Sequence, residues 1–361
     1  MLIRKLWLKD FRSYEQLQTS FADGTCVVLG PNGVGKSNLI EAICYAGQLE
    51  SFRMAPGDAL VRRGCDSAIV RAEFLRDGRE ALVEAEISRT GRNRVLLNKQ
   101  RLVRSADLIK WILITVFAPT DLDIVKGGPA LRRGLVDQLL ISMDPRNETL
   151  RSGFEKALRQ RNALLKQVHG KLDDSASVTL DVWDSKLVEM GEALAAKRIE
   201  LLSTMAPFVQ RAYGEIAGVT VDIGVDYKSS WHDSGLVDAL KAARVDDLRR
   251  GVTTVGPHRD DIELTINEMP ARTHASQGEQ RTLALGLRLA GHRLLSDTQG
   301  SPPVLLLDDV FSELDDQRTE ALLAAVPQGQ RIITTATDPP TSVHTDQLLL
   351  VTDGVVEERT A

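Results

Sequence analysis

Cysteine is scarce in this chain: three in 361 residues (Cys26, Cys44 and Cys65), with no C-x-x-C pair among them, and only six histidines beside them. That scarcity excludes a disulfide scaffold and a zinc finger, and a reducing, cytoplasmic setting is expected. Long apolar runs are also missing. None approaches the roughly 18 residues of a membrane span, so no membrane partner is expected. The opening MLIRKLWLKDF alternates apolar with charged residues and lacks the continuous stretch of a signal peptide. Aromatics make up 4%, too few to favour stacking platforms for single-stranded bases. Positive charge is not in excess, 45 Lys and Arg against 50 Asp and Glu. A globally basic nucleic-acid binder is excluded and a local basic patch is not. What is present is ordinary for a globular protein, 43% hydrophobic and 26% charged, with length for about two domains.

The charges are segregated. Arg89, Arg92, Arg94, Lys99, Arg101 and Arg104 form a run with no acidic residue between them, whereas Val304 to the end holds eleven acidic residues against three basic. One surface can face an anion that another repels. The first thirty residues read as two strands, one from Leu2 to Leu8 and one at Thr25–Leu29, followed by a helix from Lys36 through Ile43. Ala68 to Asn98 reads as strands with a turn at Thr90–Asn93. From about Gly128 to Leu248 the composition turns helical. Trp183, Leu187, Met190, Leu194, Leu201, Met205 and Phe208 fall on one stripe, which Pro207 is expected to break or kink. The last hundred residues return to α/β character, with a helix over Gly278–Leu295, buried strands at Val304–Leu307 and Arg331–Thr335, and a closing hairpin from Leu348 to Val356.

Chemistry concentrates in three places. Gly30-Pro31-Asn32-Gly33-Val34-Gly35-Lys36-Ser37 matches G-x-x-x-x-G-K-[ST], after a strand and before a helix, as a phosphate-binding P-loop requires. Backbone N–H groups freed by the glycines wrap phosphates, the helix N-terminus favours their charge, Lys36 reaches the β- and γ-phosphates, and Ser37 offers a hydroxyl to Mg²⁺. Asn38 follows in the first helical turn. The strand Val304–Leu307 ends in Asp308 and Asp309. Asp308 is placed to hold the metal, and Asp309 to polarise water as a general base beside Lys36. Ser276-Gln277-Gly278-Glu279-Gln280 opens the helix that leads to the acidic strand and taken alone reads first as a capping box, with Ser276 as N-cap and Glu279 three residues on.

These three elements in this order resemble the ATPase head of the ABC superfamily. Ser276–Gln280 is similar to its signature and Ser312-Glu313-Leu314-Asp315 to its D-loop. Phe11-Arg12-Ser13-Tyr14 resembles the SMC type of head. Phe117–Leu122, Val255–Asp261 (with the stretch GPHRDD) and Leu307–Asp315 narrow the resemblance, over nearly the whole chain, to the RecF family. The resemblance implies an α/β fold, an ABC/SMC-type P-loop ATPase head with an inserted, mostly helical second lobe. The head would be built from 1–127 and 250–361, with a β-rich part near 67–104, and the insert from 128–249. It implies ATP and Mg²⁺ as ligands. ATP would be clamped between two copies, with Lys36, Ser37 and Asp308 from one and the signature from the other, and hydrolysis would be slow. Further site residues by resemblance are Arg12, Ser13, Asp315 and Thr335. The implied partners are DNA at gaps or junctions, a second copy of the chain, RecR and RecO, with the RecA recombinase loaded as the outcome. Arg62, Arg63, Arg92, Arg94, Lys99, Arg101 and Arg104 are the candidate DNA contacts.

Asp309 stands where ABC heads usually carry Glu, and the shorter side chain predicts weak turnover. No glutamine occupies the Phe117–Leu122 region and no switch histidine follows Arg331–Thr335, where Thr334 or Thr335 stands instead. A transporter-type ABC subunit, or an interaction module holding ATP structurally, are the alternative readings. The Gly256–Asp261 stretch is open between a contact to nucleotide or dimer seam and a salt-bridged turn.

Overall fold

The structure is a computed structural model that describes residues 1–168 and 170–359. The chain divides into two compact units, one of residues 1–122, 211–220 and 281–361, the other of 123–210 and 221–280. These bounds differ from the expected 128–249 insert. The second unit also takes the segment up to Gln280, and the end of the long helix belongs to the first.

In the first unit, a six-stranded sheet runs in the order Val355–Arg359, Gln347–Thr352, Thr25–Leu29, Arg331–Thr335, Val304–Asp308, Ile114–Phe117. Its neighbours pair in parallel except for the terminal hairpin strand. Central strands such as Val304–Asp308 are buried along their length, which is why they read as unbroken apolar runs. A second, antiparallel sheet takes Tyr14–Ser20, Leu2–Phe11, Ser67–Arg76, Arg79–Ser88, Arg94–Leu97 and Gln100–Arg101 in that order.

Helix Lys36–Gln48 packs between the two sheets. Leu39, Ile40, Ile43 and Cys44 join one core with Val70, Val83 and Ile87 of the antiparallel sheet and Val28, Leu306 and Ile332 of the parallel one. A helix enclosed in this way is buried on nearly every face. Cys26 and Cys44 lie in this core, and burial pushes both thiols up to about 12. Gln330 ties the sheets together, donating to the carbonyls of Ile3 (2.8 Å) and Ala22 (2.7 Å) and accepting from the Ile3 N–H (2.7 Å). Such a buried amide holds register because each of its groups is satisfied.

The second unit is helical around a small sheet of Ile223–Lys228, Asp261–Ile266 and Met269–Pro270. Its core gathers Phe154, Leu187, Leu194, Trp231, Leu236 and Leu240, with Trp183 packed at the edge.

Two elements differ from expectation. Tyr14–Ser20 is a third N-terminal strand that the sequence hides, because YEQLQTS turns most of its side chains to solvent. Pro207 does not end its helix, which runs from Asp174 to Ala217. Pro207 and Ser203, the residue whose carbonyl loses its helical partner, are both exposed, so water can satisfy that carbonyl.

Candidate functional site

The P-loop leaves the C-terminal end of Thr25–Leu29, in the middle of the parallel sheet, where open α/β sheets bind their ligands. Pro31, Asn32 and Gly33 form its exposed crest. Gly33 and Gly35 have φ values of 87° and 115°, a region costly for any residue with a Cβ. A Cβ on Gly35 would also stand 2.8 Å from Ser13 Oγ, and one on Gly30 2.5 Å from the Val351 carbonyl. Lys36 folds back onto its own loop, donating to the carbonyls of Gly30 (2.7 Å) and Pro31 (2.9 Å). Burial lowers its pKa, while Asp309 and Asp308 oppose that shift. Asn38 donates to Ser13 Oγ at 2.9 Å, and Tyr14 donates to the Gly35 carbonyl at 3.0 Å. The Phe11–Tyr14 turn thus braces the loop from outside.

Asp308 ends its strand almost fully buried, at 3% exposure. Burial raises its pKa, countered by hydrogen bonds from Ser37 and Thr334 and by the charge of Arg53. Thr334 donates to Asp308 Oδ1 at 2.9 Å, and Arg53 lies 3.6 Å from Oδ2. Asp309 is half-buried at a left-handed φ of 51°, its N–H donating to Thr334 Oγ1 at 3.0 Å. Ser37, Asp308 and Asp309 therefore meet beside Lys36. Thr335 does not join them. Its hydroxyl donates to the Thr337 carbonyl (2.8 Å), and Thr334 is the residue that touches the acids.

Arg53 and Thr334 are the site residues that sequence reasoning missed or left undecided. No motif marks Arg53, which the Ser51–Met54 turn brings back to the strand end. Asp121, in the region without a glutamine, caps the Ala118 N–H (2.9 Å) and receives Arg288 at 2.7 Å. Asp315 caps the helix Asp316–Ala325, accepting from the Arg318 N–H at 2.8 Å.

The signature stretch lies in the second unit. Its capping box is formed: the Ser276 N–H donates to Glu279 (2.7 Å), and the Glu279 N–H to Ser276 Oγ (3.3 Å). Ser276 and Gln277 are exposed at the crest, Gly278 is half-buried, and Gln280 is buried, donating to the Ala271 carbonyl at 3.0 Å. The Gly256–Asp261 stretch is tied into the second unit by hydrogen bonds and one ion pair. Pro257 accepts from Arg198 (2.8 Å), Asp260 from Tyr227 (2.6 Å) and Trp231 (3.0 Å), and Asp261 pairs with Arg132 (2.8 Å).

The basic run forms the edge of the antiparallel sheet. Arg92, Arg94, Lys99 and Arg101 are exposed and, among the described residues, make no hydrogen bond or ion pair through their side chains, and the same holds for Arg63. Arg62 is held by Glu15 (2.8 Å) and Asp10 (3.4 Å), and Arg104 by Asp107 (3.6 Å).

The family model for the RecF/RecN/SMC N-terminal domain matches residues 2–357. A relative from Streptomyces avermitilis, named DNA replication and repair protein RecF, is 39% identical over 99% of this chain and 100% of its own. A solved structure described as the recombination mediator protein RecF-ATP in the RecFOR pathway superposes with a TM-score of 0.92 at 29% identity, covering 99% of this chain and 97% of that one. An SMC head domain from Pyrococcus furiosus shares the fold, with a TM-score of 0.56 at 17% identity over 99% of this chain and 95% of its own. No helix among the described residues is long and apolar enough to cross a membrane. Identity at this level along almost the full length is kinship and not fold alone: the chain belongs to the RecF family, within the SMC-type P-loop ATPases.

Proposed function

We propose that this chain is an ATP-dependent DNA-binding protein of recombinational repair and replication, which pairs with a second copy of itself on gapped or junction DNA when ATP is bound. The observation that carries the proposal is the meeting of Lys36, Ser37, Asp308 and Asp309 at the end of one parallel sheet. The RecF structure solved with ATP supports the choice of nucleotide.

The donor set suits Mg²⁺. This ion takes one or two protein ligands and completes its shell with phosphate and water. Here a buried carboxylate and a hydroxyl lie together, and the Arg53 cation already stands 3.6 Å from the outer carboxylate oxygen. Bound Mg²⁺ would neutralise phosphate charge. Lys36 would exchange its two loop carbonyls for phosphate oxygens. Asp309 would accept a proton from the water that attacks the γ-phosphorus, with ADP leaving. Its carboxylate reaches one methylene less far than glutamate, in keeping with slow turnover that acts as a release timer.

Ser276 and Gly278 of a second copy would close over the γ-phosphate. Nucleotide that binds the closed pair and not the open monomers favours pairing by mass action. Arg92, Arg94, Lys99 and Arg101 would meet the DNA backbone without reading sequence. RecR and RecO are the proposed protein partners, and loading of RecA the outcome.

Fluorescence anisotropy of a labelled gapped duplex tests this reading, with ATP, with ADP, and with Asp309→Asn to hold the ATP state. Binding only with ATP, steepening with protein concentration, is the expected result. No binding in any state would refute it.

A further inference from the structure

Thr334 stands opposite Asp308 in the paired strands Arg331–Thr335 and Val304–Asp308, and it is fully buried. Residues in register on neighbouring strands present their side chains to one face, so the hydroxyl meets the carboxylate. Thr334 Oγ1 lies 2.9 Å from Asp308 Oδ1 and 3.0 Å from the Asp309 nitrogen. These two contacts fix the direction of the hydroxyl, which has one hydrogen and two lone pairs. The Asp309 N–H can only donate, so it takes a lone pair. An ionised carboxylate can only accept, so it takes the hydrogen. The Leu307 carbonyl, at 3.5 Å, is a poorer acceptor. One side chain thus joins the two acids in series.

The two ends of this link act differently. At Asp308, the bond to Oδ1 leaves Oδ2 as the oxygen turned toward a cation, where Arg53 now stands at 3.6 Å. A carboxylate without that anchor is free to turn and to offer either oxygen. Mg²⁺ demands near-ideal octahedral geometry, so an oxygen fixed in place suits it better than one that turns. At Asp309, the backbone holds a left-handed φ of 51°, which costs energy in a residue with a Cβ and persists where the surroundings impose it. The Asp309 N–H is shared between Thr334 Oγ1 and, at 3.3 Å, the Thr334 carbonyl. The Asp309 carbonyl accepts from Ser312 Oγ at 2.8 Å. Asp309 is therefore pinned at both its backbone groups, and the direction in which its carboxylate leaves the chain is set with them.

We propose that Thr334 is a positioning residue of the nucleotide site. Its one hydroxyl selects the oxygen that Asp308 offers to Mg²⁺, and it fixes the backbone from which Asp309 reaches the attacking water. The proposal rests on the ATPase reading given above and adds to it the residue through which metal binding and water activation are joined. Valine has nearly the shape of threonine and lacks the hydroxyl, so a threonine that only filled the end of its strand could be exchanged for valine without effect on the site. Serine keeps the hydroxyl and gives up the methyl group.

The test compares the full chain with Thr334→Val and Thr334→Ser in two measurements. The first is binding of a fluorescent ATP analogue as Mg²⁺ is titrated, which needs no turnover. The second is steady-state hydrolysis at saturating Mg²⁺, read as kcat and KM. Thr334→Val is expected to need about tenfold more Mg²⁺ for half-maximal binding and to lose about tenfold in kcat, with KM within about twofold of wild type. Thr334→Ser is expected to stay within about threefold of wild type in every reading. If Thr334→Val does not fold, Thr334→Ala set against Thr334→Ser makes the same comparison. A valine variant that matches wild type, or one that shifts only one of the two measurements, would overturn the proposal and leave the ATPase reading standing. A serine variant that falls as far as valine would do the same, since the methyl group and not the hydroxyl would then matter. A wild type that hydrolyses no ATP and binds it without regard to Mg²⁺ would overturn both.

Discussion

Arg12 grips Glu41 with two nitrogens, at 2.7 and 2.8 Å, and Glu41 is fully buried inside the helix that follows the P-loop. The pair anchors the Phe11–Tyr14 turn, and that turn braces Gly35 and Asn38 through Tyr14 and Ser13. Removing one partner of a buried pair leaves an uncompensated charge. Arg12→Ala is expected to lower stability by about 3 kcal/mol in urea unfolding. Arg12→Ala combined with Glu41→Gln should recover part of the loss. Additive losses would show that the pair is not coupled.

Arg53 bears on Asp308 electrostatically. Its charge favours the ionised carboxylate, which burial otherwise disfavours. A ligand to Mg²⁺ has to be ionised, so a raised pKa makes metal-dependent ATP binding fade as pH falls. Arg53→Ala removes one opposing influence and should move that fading to higher pH. Titrating ATP binding with Mg²⁺ between pH 5 and 8 checks it, and a profile unchanged from wild type would count against the contact.

Ser276→Arg should abolish ATP-driven pairing and leave ATP binding by the monomer intact. Sedimentation and nucleotide titration on the same sample measure the two separately. Ser276→Ala, which removes only the cap, should cost about 1 kcal/mol of stability. Loss of monomer binding in Ser276→Arg would place Ser276 at its own subunit's nucleotide.

Reversing Arg92, Arg94 and Arg101 to Glu should weaken DNA binding and flatten its salt dependence, by nearly one unit of log–log slope for each duplex phosphate that is no longer neutralised. Reversal of Arg62 and Arg104, which are already paired, should change the slope less. Equal effects of the two sets would remove the distinction between free and committed cations.

His292 is 1% exposed against Thr115, and burial pushes its pKa down to about 4. The folded state therefore binds its proton less readily than the unfolded chain does. The stability it contributes is full above about pH 6.5 and is lost between there and pH 4. By pH 5 the loss is about 2 kcal/mol. His292→Gln should flatten this part of the stability curve in urea melts at pH 7.5 and 5, and an identical slope would show that His292 is not its source.

Much of the fold can be read because the sequence states it locally. Val304–Leu307 is unbroken and apolar because it is buried on both sides, and Gly33 and Gly35 stand where φ is positive. Ser276 and Glu279 are spaced for a reciprocal cap, and they make one. The rest is set by distant partners. Tyr14–Ser20 becomes a strand because Leu2–Phe11 offers it an edge, not because its own residues favour one. Arg53 reaches Asp308 through a turn that no spacing rule describes. Thr334 and Thr335 are neighbours in one strand, and only the alternation of their side chains decides which meets the acids. Pro207 falls under a rule for helix interiors that solvent relaxes.

The strand that carries the P-loop, Thr25–Leu29, has as its two neighbours Arg331–Thr335 and Gln347–Thr352. During synthesis, then, the phosphate-binding loop is made about 300 residues before the two strands that flank its own strand, and its sheet cannot close until they follow. Every motif from Gly30 to Asp315 is already out of the ribosome while the loop still lacks both flanking strands. A nascent chain arrested just after Gln330 would hold the complete set of signature residues and no working nucleotide site, and a late nonsense mutation would be as damaging as an early one.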